Sequence, residues 1–308
     1  MSRIAQRMFQ KLWKRVEASD AERLAGLALP RGVTFRTFRY IEDGDPMHTL
    51  SIYWPEGHSE ELPVIIDIHG GGWMYGSKEV NRPFDLALAS LGFAVVGLSY
   101  RLCPQTDLKG MLKDIDAACR FAYGKRTELG LDFLQTYLTG DSAGGHLVAV
   151  EAALQDSVEL RGLVGVEPLP FVIRAINLNH AVPFIEQSDL HSKGRFINAL
   201  GRREIMRELY GPKLTRDREF TRLTSDFSHL IEGLTRFPPT HIVTSTGDRS
   251  FNWQSHAIEE DLKAHGFECE LWEVEGERHV FNVAHMDQPI GIRANKRIAD
   301  FFRLHQGG

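Results

Sequence analysis

Between an apolar strand-like run at 133–138 and an apolar-periodic helical run from Ala143 onward, the chain connects through Gly140-Asp141-Ser142-Ala143-Gly144-Gly145. A strand that passes into a helix through so few residues must turn sharply, and glycine supplies the backbone angles and the clearance for it. The same alternation extends on both sides. Strand readings at 64–68, 94–98 and 133–138 alternate with helical readings at 83–91, 108–123 and 143–154. This is the pattern of a parallel sheet covered by helices on both faces. Further strands are read at 162–166, 241–244 and 268–274, with helices at 252–265 and from about 289 to 304. Upstream, Thr34-Phe35-Arg36-Thr37-Phe38 and Thr49-Leu50-Ser51-Ile52-Tyr53 alternate like an antiparallel hairpin at a sheet edge, separated by the turn-rich Glu42-Asp43-Gly44-Asp45-Pro46.

Two segments stand outside this rhythm. Residues 168–222 are too long for a typical βα loop and contain an amphipathic piece at 197–209, closed by Tyr210-Gly211-Pro212. They read as a helical cap. Near the N-terminus Ile4, Met8, Leu12 and Val16 recur every fourth position, Phe9 and Trp13 widen the same face, and the opposite face is basic. Such a helix suits a lid over a pocket, and it also suits a membrane surface. The expected division is an N-terminal lid segment at 1–31, a first core part at 32–167, a cap insertion at 168–222 and a second core part at 223–308.

Composition narrows the partners. The 308 residues carry 36 Lys and Arg against 41 Asp and Glu, a net charge of −5, and no basic stripe is interleaved with the aromatic residues, so nucleic acid is not an expected partner. Cys103, Cys119 and Cys269 are odd in number and far apart, which indicates neither a disulfide framework nor a zinc site. No apolar run approaches the roughly 18 residues of a membrane span, and the basic residues among the first fifteen break up any secretory-signal core. The expectation is a cytoplasmic protein, with homo-oligomerisation left open.

On parallel sheets, chemistry collects at the carboxyl ends of the strands. Ser142 lies there, in a Gly-x-Ser-x-Gly turn of the nucleophile-elbow type. His69-Gly70-Gly71-Gly72-Trp73 lies at another such end, after the strand at 64–68. Successive glycines let backbone N–H groups approach an oxygen that becomes negative during acyl transfer. Glycine-rich turns also cradle phosphates, but neither a Gly-Lys-Ser/Thr nor a Gly-x-Gly-x-x-Gly spacing follows.

In this order the two motifs resemble the hormone-sensitive-lipase family of α/β-hydrolases. The resemblance extends from about Leu62 to the C-terminus and includes Tyr100-Arg101-Leu102-Cys103-Pro104-Gln105 and Arg278-His279-Val280-Phe281; Cys103 and Gln105 depart from the family's Tyr-Arg-Leu-Ala-Pro-Glu. It implies an α/β-hydrolase fold with a mostly parallel sheet and a helical cap, and a serine–acid–histidine triad. Ser142 is the expected nucleophile, with His279 as base. Asp248, within Ser245-Thr246-Gly247-Asp248-Arg249, is the expected acid, although the family's second acidic residue is replaced by Phe251-Asn252. His285 is the rival base, His146 is expected to pack locally, and Asp226 to cap a helix. Asp67 is expected to be structural and Asp141 to point away from the serine.

The expected oxyanion donors are the N–H groups of Gly71, Gly72 and Ala143, with Gly70 freeing the turn and His69 holding the loop. Trp73, Phe171 and Phe184, with Phe196 and Tyr210, are candidate pocket residues. No metal-ligand spacing or nucleotide motif is present, so neither metal nor cofactor is expected. The resulting expectation is a serine carboxylesterase for small to medium esters, acting through an acyl-enzyme. The alternatives are an amidase or formamidase with the same triad, and a non-catalytic small-molecule receptor.

Overall fold

A computed structural model describes residues 3–27, 30–187, 195–211 and 217–307 of the chain. Helix α1 (Arg3–Gly26) precedes the edge hairpin β1 (Val33–Arg39) and β2 (Thr49–Pro55). Then follow β3 (Leu62–Ile68), α2 (Lys78–Ala89), β4 (Ala94–Leu98), α3 (Leu108–Gly124), the single turn α4 (Arg126–Leu129), β5 (Leu131–Asp141) and α5 (Ala143–Leu154). The second half runs α6 (Val158–Val164), β6 (Ile173–Asn179), α7 (Arg195–Tyr210), α8 (Arg218–Ser225), α9 (Phe227–Ile231), β7 (Thr240–Ser245), α10 (Asn252–Ala264), β8 (Cys269–Val274), α11 (Phe281–Ala284) and α12 (Pro289–Leu304).

The eight strands form one sheet in the order β1-β2-β4-β3-β5-β6-β7-β8. The β1–β2 and β2–β4 pairings are antiparallel and the others parallel. Successive side chains of a strand point to opposite faces, and the core divides accordingly. Ile66 and Val96 pack in one cluster with α3, α5 and α10. Ile65 and Val95 pack in the other, with Phe84 of α2 and Ile298 and Phe302 of α12. Helix α5 lies on the middle of the sheet and all of its residues are buried.

Parallel register aligns the strand ends that matter. Ile68 pairs with Gly140, Asp141 with Asn179, and Asn179 with Val243. The residues that follow, His69, Ser142 and His180, therefore emerge side by side at the carboxyl ends of three central strands.

One expectation fails. Residues 162–166 are not a strand: most of the stretch belongs to α6, whose N-cap Ser157 accepts the Leu160 N–H and whose C-terminus closes at Gly165 with φ 82°. The sixth strand is β6, which lies inside the segment 168–222 read as cap and pairs with both β5 and β7. Residues 173–179 are therefore part of the sheet and not of a cap. Phe196, read as a pocket residue, has its side chain outside the described residues, as do Ile4, Met8, Phe9 and Leu12.

Candidate active site

Strand β5 ends at Asp141 and α5 begins at Ala143, so Ser142 alone makes the turn, at φ 52° and ψ −116°. A positive φ in a residue other than glycine is uncommon and costs on the order of 1–3 kcal/mol, so surrounding structure must impose it. Two backbone bonds do: Ser142 N–H donates to Asn179 O (2.9 Å), and Val182 N–H donates to Ser142 O (3.3 Å). Gly144 passes so close to the Ile68 and His69 carbonyls that any side chain there would overlap them. The small residues of the motif are thus a packing requirement of the elbow.

His279 follows β8 in a loop tied to the end of β7. Ser245 Oγ–H donates to Glu277 O (2.6 Å) and Gly276 N–H to Thr246 Oγ1 (2.9 Å). These ties bring His279 between the serine and Asp248. Its Nε2 lies 2.9 Å from Ser142 Oγ and its Nδ1 2.6 Å from Asp248 Oδ2. With the proton on Nδ1, the ring donates to the carboxylate and leaves Nε2 to accept the serine hydroxyl proton. Asp248 is buried. Burial would raise its carboxyl, but hydrogen bonds from His180 and His279 outweigh that and hold it well below the usual carboxylate range. His285, the rival base, is exposed in the turn after α11.

The glycine loop lies opposite the serine. Gly71, at φ 114°, accepts the N–H groups of Met74 and Tyr75 on its carbonyl, and Gly70, Gly71 and Gly72 face the same cavity as Ser142. Ala143 is the first residue of α5, where backbone N–H groups are free of helical partners. His69 stacks on Tyr100 at 4.4 Å and its Nδ1–H donates to Gly70 O at 2.7 Å. Burial lowers the His69 imidazole to about 4, so it acts as a neutral brace. The Tyr100 hydroxyl donates to His69 O, and Cys103 N–H donates to Trp73 O. The Tyr100–Gln105 stretch therefore supports the loop from behind. Trp73 Nε1–H donates to His146 Nδ1 (3.2 Å), while His146 Nε2–H reaches Thr224 O (2.7 Å), a packing role as expected.

Two polar supports were not anticipated. Asp141 does not point away from the site: Oδ1 accepts Gly70 N–H (3.0 Å) and Asn81 Nδ2–H (2.8 Å), fixing the loop to the elbow. Asn81 also donates to Asp67 Oδ2 (2.9 Å). Burial raises Asp67 to about 8, reinforced by repulsion from Asp141, and it pushes Asp85 well above the ordinary carboxylate value. The second is His180, immediately after β6, whose Nδ1 lies 2.9 Å from the same Asp248 Oδ2 that His279 contacts. Its signal in the sequence was one polar residue after a strand that had been misplaced. Asp226 caps α9, as expected.

Above these groups is a cavity of about 500 Å³ with mostly apolar walls. Trp13 and Val16 of α1, Val80 of α2, Ile205 of α7, Phe251 and Val283 contribute to them. Trp73 lines it too, but Phe171 and Phe184 do not. Phe171 precedes β6 and packs on Tyr123 and Phe133, while Phe184 packs on Phe227 and Trp253. Tyr210 packs on Phe220. Trp13 stacks on Tyr75 at 5.5 Å, Tyr75 O–H donates to Asp20 (3.0 Å), and Arg23 donates to Val80 O (3.2 Å). The described part of α1 thus lies over the cavity.

Among the described residues, His180, Asp248 and His279 are the one His/Cys/Asp/Glu group close enough to share a metal. Their 2.6 and 2.9 Å contacts are those of N–H donors on a carboxylate. No described helix is long and apolar enough to cross a membrane.

A sheet of this order, with a serine elbow after β5 and an aspartate and histidine after β7 and β8, defines an α/β-hydrolase. The chain belongs to the BD-FAE family, whose model matches residues 50–262, and thereby to the hormone-sensitive-lipase group of α/β-hydrolases. Esterase B from Lactobacillus rhamnosis, solved with a tributyrin phosphonate inhibitor, is 31% identical over 99% of this chain and 96% of its own, with a TM-score of 0.91. Carboxylesterase NlhH from Mycobacterium tuberculosis is 37% identical over 40% of this chain, and isoprenylcysteine alpha-carbonyl methylesterase ICME from Arabidopsis thaliana is 32% identical over 40%. Those two alignments span only 38% and 29% of the relatives' own lengths.

Proposed function

We propose that the protein is a serine carboxylesterase that hydrolyses small to medium esters through an acyl-enzyme. The observation that carries this reading is the unbroken chain from Ser142 Oγ through the His279 ring to Asp248 Oδ2, at 2.9 and 2.6 Å, at the base of an apolar cavity. Ser142 Oγ attacks the ester carbonyl carbon as its proton passes to His279 Nε2, and Asp248 stabilises the resulting imidazolium. The N–H groups of Gly71, Gly72 and Ala143 receive the oxyanion, each such donor lowering the barrier by about 3–4 kcal/mol. Collapse expels the alkoxide, which takes the proton from His279 Nε2, and leaves an acyl-serine. Water then attacks with its proton going to His279, and the carboxylic acid departs as the proton returns to Ser142.

Every step uses side chains and backbone of this chain, so neither metal nor cofactor is required. Esterase B, solved with a tributyrin phosphonate, supports the ester reading, as does the name of NlhH. The described part of α1 acts as a lid over the hydrolase core, and cap material is confined to the region after β6. The free thiols Cys103, Cys119 and Cys269 suit a reducing, cytoplasmic setting.

The test is a panel of p-nitrophenyl esters of rising acyl length, with matched anilides. The 500 Å³ cavity predicts kcat/KM that peaks at short to medium chains and falls beyond them. Equal or faster anilide hydrolysis would transfer the assignment to an amidase.

A further inference from the structure

The Asp248 carboxylate carries two histidines. His180 and His279 both place Nδ1 on Oδ2, at 2.9 and 2.6 Å, with their rings edge to face at 5.3 Å. A triad needs only one of them. His180 is buried, and burial lowers its imidazole, outweighing the raising effect of its hydrogen bond to Asp248. The lowered imidazole favours the neutral ring with a single proton.

Hydrogen bonding places that proton. A neutral ring protonated on Nε2 would set the Nδ1 lone pair against a carboxylate and also bury an N–H donor without a partner, since Nε2 has none among the described residues. Protonated on Nδ1, it donates to Asp248 and leaves only an unfilled acceptor. Among the described residues nothing continues from Nε2, so His180 ends their hydrogen-bond chain.

Its backbone is equally constrained. His180 sits at φ 49°, and its N–H donates to Val243 O at 2.8 Å. In the same turn, Asn179 O accepts the Ser142 N–H and Val182 N–H reaches Ser142 O. This turn thus holds the serine elbow through the Asn179 and Val182 backbone and the acid through the His180 side chain.

Building on the triad proposed above, we propose that His180 is a positioning residue: its Nδ1–H, donated to Asp248 Oδ2 beside that of His279, keeps the carboxylate aligned and ionised. A second donor spreads the carboxylate charge, so Asp248 competes less for the proton on His279 Nδ1 while still orienting the ring. The titratable groups facing this centre are Asp248 and His279 around His180, and Asp141 on the serine side of His279. Phe281 and Phe251 complete the enclosure with uncharged rings.

Two variants test this on an uncharged aryl ester across pH. His180→Phe keeps a ring against His279 but has no donor, whereas His180→Asn restores an N–H at the Nδ1 position and tolerates positive φ. The phenylalanine variant should lose about tenfold or more in kcat with KM within about twofold. Its acid limb should move to higher pH, because the unshared carboxylate stabilises protonated His279 more strongly. The asparagine variant should recover both the rate and the limb. A phenylalanine variant with wild-type kcat and limb, or an asparagine variant as impaired as the phenylalanine one, overturns the proposal.

If the phenylalanine variant does not fold, ¹⁵N-histidine NMR of the wild-type protein decides. A His180 protonated on Nε2, or on both nitrogens at neutral pH, overturns the assignment; a single proton on Nδ1 supports it. Activity surviving in Ser142→Ala would instead remove the triad reading itself, so the two failures are distinguishable.

Discussion

The base of the cavity and its cover are held by different kinds of contact. Around Ser142, hydrogen bonds from β6, the Gly70 loop and the β7 and β8 loops fix the backbone and the ring of His279, and their combined constraint maintains a strained elbow. Over it, the described part of α1 rests on one stacked pair, Trp13 on Tyr75, worth about 0.5–1.5 kcal/mol beyond its buried area. Among the described residues, a tyrosine–aspartate hydrogen bond and an arginine–carbonyl contact join it. The proposed proton transfer needs a closely held geometry, and the base has it in backbone bonds from several strands, whereas the described seat of α1 is made of side-chain contacts. Chemistry and selectivity are therefore separable by mutation.

The largest effect should fall on the base. Ser142→Ala should lower kcat by about a millionfold for every ester, because triad members act as a unit. Its thermal stability should be near wild type, since alanine keeps the packing and loses only the hydroxyl. An activity loss that varied with acyl length would break the separation between base and cover.

Removing the cover should act more weakly and in a substrate-dependent way. Deleting residues 1–29 should reduce kcat/KM on soluble short-chain esters by roughly tenfold, by removing the part of the cavity wall formed by Trp13 and Val16 and admitting water. The intact protein should not bind anionic vesicles. Salt-sensitive vesicle binding with unchanged soluble kinetics would identify α1 as a membrane-surface helix instead.

The smallest effect concerns the buried carboxyls beneath the loop. Burial raises Asp67 to about 8, whereas in the unfolded chain it ionises near 3.9. Between those values the folded state holds more protons than the unfolded one, so this group's stabilisation is complete below the unfolded value and is lost as pH rises to about 8. Asp67→Asn removes that dependence. Its Tm should therefore fall less than wild type between pH 4 and 8, as read by differential scanning fluorimetry. A parallel fall in both proteins would show that Asp67 ionises normally.

The same division explains what was legible in the sequence. The base was readable because its residues are dictated locally: a serine turn between strand and helix requires small neighbours, and Gly144 against the Ile68 carbonyl shows why. Asp248 and His279 lie in short loops after strands whose apolar runs are distinct. The strand β6 was missed because Pro168 and Pro170 obscure its start, while 162–166 has strand-like composition but is held helical by the Ser157 cap and Gly165. With β6 displaced, His180 had no reason to be placed beside Asp248. Phe171 was misassigned for the same reason, since it precedes β6, at the end of the sheet remote from the serine. The cover depends on contacts between helices distant in sequence, such as Trp13 with Tyr75, which periodicity alone does not pair.

In the proposed reaction Ser142 is the group that carries the acyl chain. Reaction of the native protein with a fluorophosphonate, followed by proteolysis and mass spectrometry, tests it directly. One adduct per chain, on Ser142, lost in Ser142→Ala and strongly slowed in His279→Ala, is the predicted result. An adduct on another residue, or full inactivation with Ser142 unmodified, would contradict it.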